Sequence, residues 1–158
     1  MRTLALAVTA TFALLAPAAG AMQMDTGSPE HVADAVAALR AHHNAKAREH
    51  LKTAIATMGE PKAARDHAKE ALAELKAGHP AKALEHAING AAVEHLTYAL
   101  AALQAGKTKV GKMHLTETED LQPYAAGAKR AIAALNAGNK AKAIRITRTT
   151  LNAAAAAE

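Results

Sequence analysis

The sequence predicts an all-α protein, an antiparallel helical bundle built from about four helix-turn-helix repeats. Strong helix formers dominate the chain, and alanine above all. One phrase recurs four times, with its leucine at 39, 75, 103 and 135: Leu39-Arg40-Ala41-His42, Leu75-Lys76-Ala77-Gly78, Leu103-Gln104-Ala105-Gly106 and Leu135-Asn136-Ala137-Gly138. These marker leucines are 36, 28 and 32 residues apart, in steps of 4 residues that approximate one helical turn. Such periods are typical of packed helical hairpins.

The N-terminus is expected to direct export. Arg2 precedes an apolar run over 4–15, Pro17 breaks that run, and Ala19-Gly20-Ala21 resembles a small-residue cleavage site. The run is too short for a membrane span. We therefore predict a signal peptide at 1–21, a flexible lead-in at 22–28 and a helical bundle domain at 29–158, located most simply in a bacterial periplasm.

Proline and glycine divide the domain into helices. The pattern predicts helices over about 29–41, 44–58, 61–77, 80–105, 123–137 and 140–157. Asn89-Gly90 is a possible kink within the fourth helix, and 110–121 is expected to be less regular. Because alanine contributes little apolar area, the core should be thin.

Composition excludes several function classes. The chain has no cysteine, so disulfides, thiolate metal sites and a cysteine nucleophile are ruled out. Its net charge is +5, but lysines are spread among acids and aromatic residues are scarce, which disfavours nucleic-acid binding. The chain lacks a phosphate loop, a nucleophile elbow and a zinc-protease motif, and its only serine is Ser28. We expect a protein that is not an enzyme.

The histidines fall in columns of the repeat. The first column lies eight residues before the marker leucine, the second eleven after it and the third four after it. Eight of the nine histidines occupy these columns: His31, His67 and His95; His50, His86 and His114; His43 and His79. The fourth repeat has none. Because imidazole is the commonest metal ligand, this regularity favours metal binding.

Three histidines have a carboxylate three residues later, on the same helix face: His31 with Asp34, His67 with Glu70 and His114 with Glu117. The acid could be a ligand, or it could orient the ring. No two histidines are spaced i, i+4 within a helix, so sites must form between helices. A hairpin closed around Gly59 would bring His50 level with His67. Both rings should lie at the border of an apolar stripe.

The predicted metal ligands are His31, His50, His67, His86, His95, His114, His43, His79, Glu70 and Glu117. The alternative is that these histidines are solvated residues inherited by duplication, and Lys46 and Lys82, four residues before His50 and His86, favour it. His42-His43 could anchor copper or nickel, or simply fill a polar turn. Met22-Gln23-Met24 has a spacing that suits Cu(I), but it could be a chance pair.

The segments 67–75 and 78–87, His-Ala-Lys-Glu-Ala-Leu-Ala-Glu-Leu and Gly-His-Pro-Ala-Lys-Ala-Leu-Glu-His-Ala, resemble the small histidine-rich metal-binding proteins of bacterial periplasms. The resemblance spans about 31–121 and implies a helical bundle that binds divalent metals, notably copper. The family is shorter and richer in histidine. The Leu-x-Ala-Gly-x-x-x-Lys-Ala phrase is also similar to YfdX-type helical stress proteins, which have this rhythm without metal ligands.

The expected function is therefore that of an exported protein that sequesters or buffers copper, with nickel or zinc as alternatives. Its partners would be metal ions, with self-association possible. Nucleic acid and a membrane span are not expected. The alternative is a periplasmic stress or chaperone-like protein that binds no metal and uses the apolar faces of its helices.

Overall fold

A computed structural model of the protein describes residues 31–59 and 61–157. Within these ranges the chain forms helices and no strands, so the predicted all-α class is confirmed. The helices are α1 (His31–Arg40), α2 (Asn44–Thr57), α3 (Lys62–Ala77), α4 (Pro80–Gln104), α5 (Thr108–Thr118), α6 (Ala125–Asn136) and α7 (Lys140–Ala155). The predicted signal peptide, the lead-in with its Met22-Gln23-Met24 segment and the predicted helix start at 29 lie outside the described residues.

A tight turn follows each marker leucine. The third residue after the leucine has a positive φ, of 83°, 78° and 73° at Gly78, Gly106 and Gly138 and of 59° at His42. The N–H of the next residue then donates to a carbonyl five residues back, over 2.8–2.9 Å in all four turns. This is the hydrogen bond of a Schellman cap. The four turns join the packed helix pairs α1/α2, α3/α4, α4/α5 and α6/α7.

Helix α4 is the centre of the bundle. It packs against α1, α3, α5 and α7, and every residue from 89 to 96 is buried. Gly90 lets α1 and α3 pack closely against α4. A Cβ at this position would lie 3.2 Å from the Ala64 carbonyl and from Val32 Cγ1 and 3.3 Å from His67 Cβ. α4 thus belongs to two hairpins, and it carries both His86 and His95.

The core is thin, as the composition predicts. Most buried apolar positions are alanine, and the largest fully buried side chains are leucines such as Leu51, Leu96 and Leu115. Alanine lets helix backbones come close but removes little apolar area from water. No helix in the described ranges has the length and apolar character needed to cross a membrane.

Helix α4 is continuous, as the sequence predicts, whereas α5 differs from the prediction. α4 continues through Asn89 and Gly90, where the Asn89 side chain faces inward and accepts a 2.7 Å hydrogen bond from the Tyr124 hydroxyl. α5 is a regular helix in the segment expected to be irregular. Its threonines are accommodated within the helix, where the hydroxyls of Thr116 and Thr118 each donate to the carbonyl four residues back.

The fourth hairpin depends on Gly127. A Cβ at this position would lie 2.2 Å from Thr150 Oγ1 and 2.7 Å from Thr150 Cγ2, so in Gly127→Ala the Thr150 side chain, the two helix backbones or both must shift. Overpacking of this kind costs about 1–3 kcal/mol. Gly59→Ala is the matched control, since no atom lies within 4 Å of a Cβ there. Urea unfolding should show the loss for Gly127→Ala alone; equal stabilities would contradict the packing described.

Candidate metal centres

Two imidazoles and one carboxylate converge in each of the first three hairpins. Within each group the candidate ligand atoms all lie within 4.8 Å of one another. Site one is His31, Asp34 and His50; site two is His67, Glu70 and His86; site three is His95, His114 and Glu117. The two rings of a site have centroids 6.4, 6.3 and 6.0 Å apart and are tilted by 34°, 31° and 31° in sites one to three.

The turn geometry explains why the pairs form. In each pair a first-column histidine meets the second-column histidine 19 residues later, across the turn of its own hairpin. His50 therefore lies beside His31, and the predicted pairing of His50 with His67 is wrong. Met58 and Pro61 have extended backbones, so the chain between α2 and α3 does not close into the turn that sets the level of the other pairs.

Site two has the clearest geometry. Glu70 Oε2 lies 3.2 Å from His67 Nδ1 and 3.2 Å from His86 Nδ1. The other nitrogen of His67, Nε2, is 3.2 Å from the carbonyl oxygen of Ala154 at the end of α7. A carbonyl only accepts, so Nε2 carries a hydrogen and the neutral ring presents a lone pair at Nδ1. Metal-bound histidines are commonly oriented in this way.

This arrangement places electron-rich atoms against one another. In the neutral His67 ring, Nδ1 is an acceptor that faces the acceptor Oε2 of Glu70, so either a proton or a cation must lie between them. His86 Nδ1 is buried and has no hydrogen-bond partner among the described residues, although Oε2 is near. Ligands of a tetrahedral ion at metal bonds of about 2.1 Å are about 3.4 Å apart, close to the observed spacing.

Site three is the most enclosed. Glu117 Oε2 is 3.2 Å from His95 Nδ1 and 2.9 Å from His114 Nδ1, and His95 is only 2% exposed. In sites one and two the acid stands three residues after the first histidine. In site three Tyr98 occupies that position, and the acid, Glu117, comes from the second helix of the hairpin. The Tyr98 ring lies 5.5 Å from that of His114. The hydrogen bond from His95 lowers the pKa of Glu117, the charges of both histidines lower it further, and burial opposes the shift.

Site one is the most open. Asp34 Oδ2 is exposed and lies 3.7 Å from His50 Nδ1, so the acid that sequence spacing pairs with His31 also reaches the second ring. His31 Nδ1 is buried and has no hydrogen-bond partner in the described part of the chain. An unsatisfied buried nitrogen is costly, and a bound cation would satisfy it.

The six site histidines differ in burial. His67 and His95 are buried, whereas the sequence predicts a border position for His67. His67 is buried because Gly90 lets α3 pack tightly on α4, and His95 is buried because it lies on α4 itself. His31, His50, His86 and His114 are half-buried, as border residues should be.

His43 and His79 are not part of the three sites. Both are exposed at turns, as is His42, and His79 Nδ1 lies 2.8 Å from Glu74 Oε2. In the fourth hairpin the first two columns hold Gly127 and Ile146. Sequence reasoning missed the Ala154 carbonyl, which no side-chain pattern reports, and it missed Tyr98.

A cavity of about 570 Å³ opens beside site two, between α3 and the end of α7. Its lining residues are Lys62, Ala63, Asp66, His67, Glu70 and Ala155 to Ala157. Asp66 is held by two ammonium groups, since hydrogen bonds from Lys62 and then Lys69 lower its pKa to about 2. Because His67 and Glu70 line this cavity, water or a small ligand within it can reach both side chains.

No protein-family model matches the chain, and no curated protein or solved structure shows significant similarity to it. The geometry of the three sites is therefore the basis on which a function can be assigned.

The lowered pKa of Glu117 predicts a pH dependence of stability in the metal-free protein. A carboxyl with a folded-state pKa below its ordinary value of 4.5 contributes stability above that value, and this stability is lost as the pH falls through the folded-state pKa. Glu117→Gln should therefore flatten the fall of the unfolding free energy between about pH 5 and 3. Glu85→Gln, at an exposed acid, is the control and should follow the parent; a Glu117→Gln curve parallel to the parent would contradict the assignment.

Proposed function

We propose that this protein sequesters or buffers divalent transition metals, copper first and nickel or zinc second, at three sites that each lie between two antiparallel helices. One observation carries the proposal: two imidazoles and a carboxylate converge three times, at the same level of three hairpins. A single such group on a helical surface would be common. Three groups of the same composition, with ring pairs of nearly the same geometry, favour a shared role.

The ligand set supports the choice of metal. Imidazole and carboxylate suit divalent ions, and among these the affinity of a nitrogen and oxygen site is highest for Cu(II). Soft thiolate ligands are absent from the sequence. Three protein ligands leave at least one coordination position for water or another ligand, unlike a closed structural site. An open position favours exchange of the ion, as storage and buffering require.

Two sequence features are consistent with this role. The N-terminal pattern favours export, and the resemblance to small histidine-rich periplasmic proteins favours copper. We propose binding and no catalysis, because the same set of two imidazoles and one carboxylate recurs in three hairpins, as a set of metal ligands would. A stress-protein role without metal is the outcome to adopt if the sites fail the test below.

The stoichiometry of metal binding tests the proposal. Calorimetric titration of the full chain with Cu(II) at pH 7.5 should give about three equivalents per chain. A triple variant that replaces one half-buried ligand of each site, His50→Ala, His86→Ala and His114→Ala, should lose them. Because ligands must be deprotonated, binding by the parent should weaken greatly at pH 5.5.

The matched control removes three histidines outside the sites, by His42→Asn, His43→Asn and His79→Asn. Asparagine tolerates the positive φ of residue 42, so the turn should persist. This variant should keep all three equivalents. Loss of binding in the control together with retention in the site variant would assign the metal to the turns and overturn the proposal.

Site two should depend on the end of α7. A chain that ends at Ala153 lacks the Ala154 carbonyl and with it the group that fixes the His67 ring. The affinity of one of the three sites should fall about 10–100-fold, as is usual when a ligand loses its orienting partner. A chain that ends at Ala156 is the control. Three unchanged equivalents in the shorter chain, with its helical content preserved, would contradict the role of α7.

A further inference from the structure

The fourth hairpin, which lacks histidines, is the exception to the mixing of basic and acidic residues along the chain. Residues 121–157 contain six basic residues and no acidic ones, whereas residues 61–120 contain eight of each. All six are exposed, and none forms an ion pair with a described residue. We call them the basic face: Lys129, Arg130, Lys140, Lys142, Arg145 and Arg148.

The basic residues lie on the outer side of the hairpin. On α7, Lys142, Arg145 and Arg148 follow one another at intervals of three residues, which places them about 60° apart around the helix. Arg145 lies about 170° from the centre of the buried side of α7, which is made of Ala143, Thr147, Thr150 and Ala154. These three residues of the basic face therefore lie on the solvent-facing side of α7.

The face extends beyond the hairpin at the turn end. Lys140 Nζ lies 3.9 Å from where a Cβ on Gly106 would stand, so it reaches the α4–α5 turn beside the exposed Lys107. Lys112 donates a 2.9 Å hydrogen bond to Asn136 Oδ1 at the end of α6. Positive charge thus continues from the outer side of α7 around one end of the bundle.

We propose that the basic face docks the protein on an anionic phospholipid bilayer. A basic residue near such a surface is attracted without having to enter it, and several together give strong, salt-dependent binding. The outer sides of α6 and α7 present alanine, threonine and asparagine between the charges and no large apolar side chain. Binding is therefore adsorption to the headgroups and needs no insertion.

The same features disfavour nucleic acid as the occupant. The only aromatic residue of 121–157, Tyr124, is buried and bonded to Asn89, so no ring is available for stacking on a base. The 16-residue α7 supplies a convex surface about 24 Å long. Such a surface meets a plane of headgroups along its length but does not enclose a strand.

Co-sedimentation of the metal-free full chain with vesicles tests this docking independently of the metal sites. The probes are vesicles of equal parts phosphatidylglycerol and phosphatidylcholine, and vesicles of phosphatidylcholine alone, at 50 mM and 500 mM NaCl. The docking variant carries Lys129→Gln, Arg130→Gln, Lys142→Gln, Arg145→Gln and Arg148→Gln. The control variant has the same net charge but changes the other hairpins, through Lys46→Gln, Lys52→Gln, Lys69→Gln, Lys76→Gln and Lys82→Gln.

The parent and the control should bind the anionic vesicles at 50 mM NaCl and dissociate from them at 500 mM NaCl. Neither should bind vesicles of phosphatidylcholine alone. The docking variant should bind at least about 100-fold more weakly than the parent. Equal losses in both variants would show a net-charge effect and overturn the proposal, as would the absence of binding by the parent. Tighter binding of the parent to random duplex DNA than to the anionic vesicles would assign the face to nucleic acid instead. If a variant misfolds, the proposal can still be tested on the parent alone, by comparing its binding to anionic and neutral vesicles at the two salt concentrations.

Discussion

The register between the two helices of a hairpin is the constraint on which the sites depend. Each register is set by one turn, in which a residue with positive φ follows the marker leucine and a short N–H···O bond closes the helix end. Once this turn is fixed, residues 19 apart meet at the same level. The first-column histidine then has only one partner, and the carboxylate completes the group from either helix.

Packing around α4 then gives the sites different environments. Because α4 contacts four other helices, His95 in its middle and His67, which α4 covers, are buried, whereas His86 nearer its start is half-buried. Site one lies at the edge of the bundle and keeps an exposed acid. The alanine core makes this compactness possible, since small side chains allow helices to approach closely. The alanine core also buries little apolar area to stabilise the fold. A metal ion that bridges two helices would therefore raise the free energy of unfolding, and more so the more tightly it binds.

Sequence reasoning could predict six of the seven described helices, the turns and the residue types at the sites, because these follow from periodicity and from glycine and proline positions, but it did not predict that α5 is a regular helix. It could not predict which histidines meet. Whether a hairpin closes at Gly59 or at a marker turn depends on backbone conformation, and for that reason the sequence pairs His50 with His67 although His50 lies beside His31. Nor could it predict the Ala154 carbonyl at His67, which comes from 87 residues away in sequence.

Diffraction from crystals grown with Cu(II), recorded at the copper absorption edge, tests the central claim most directly. We expect three anomalous peaks per chain, each about 2.0–2.1 Å from two imidazole nitrogens on adjacent helices and close to one carboxylate oxygen. The peaks should lie between His31 and His50, between His67 and His86 and between His95 and His114. Peaks confined to the exposed turn histidines, or none at the three pairs, would contradict the account.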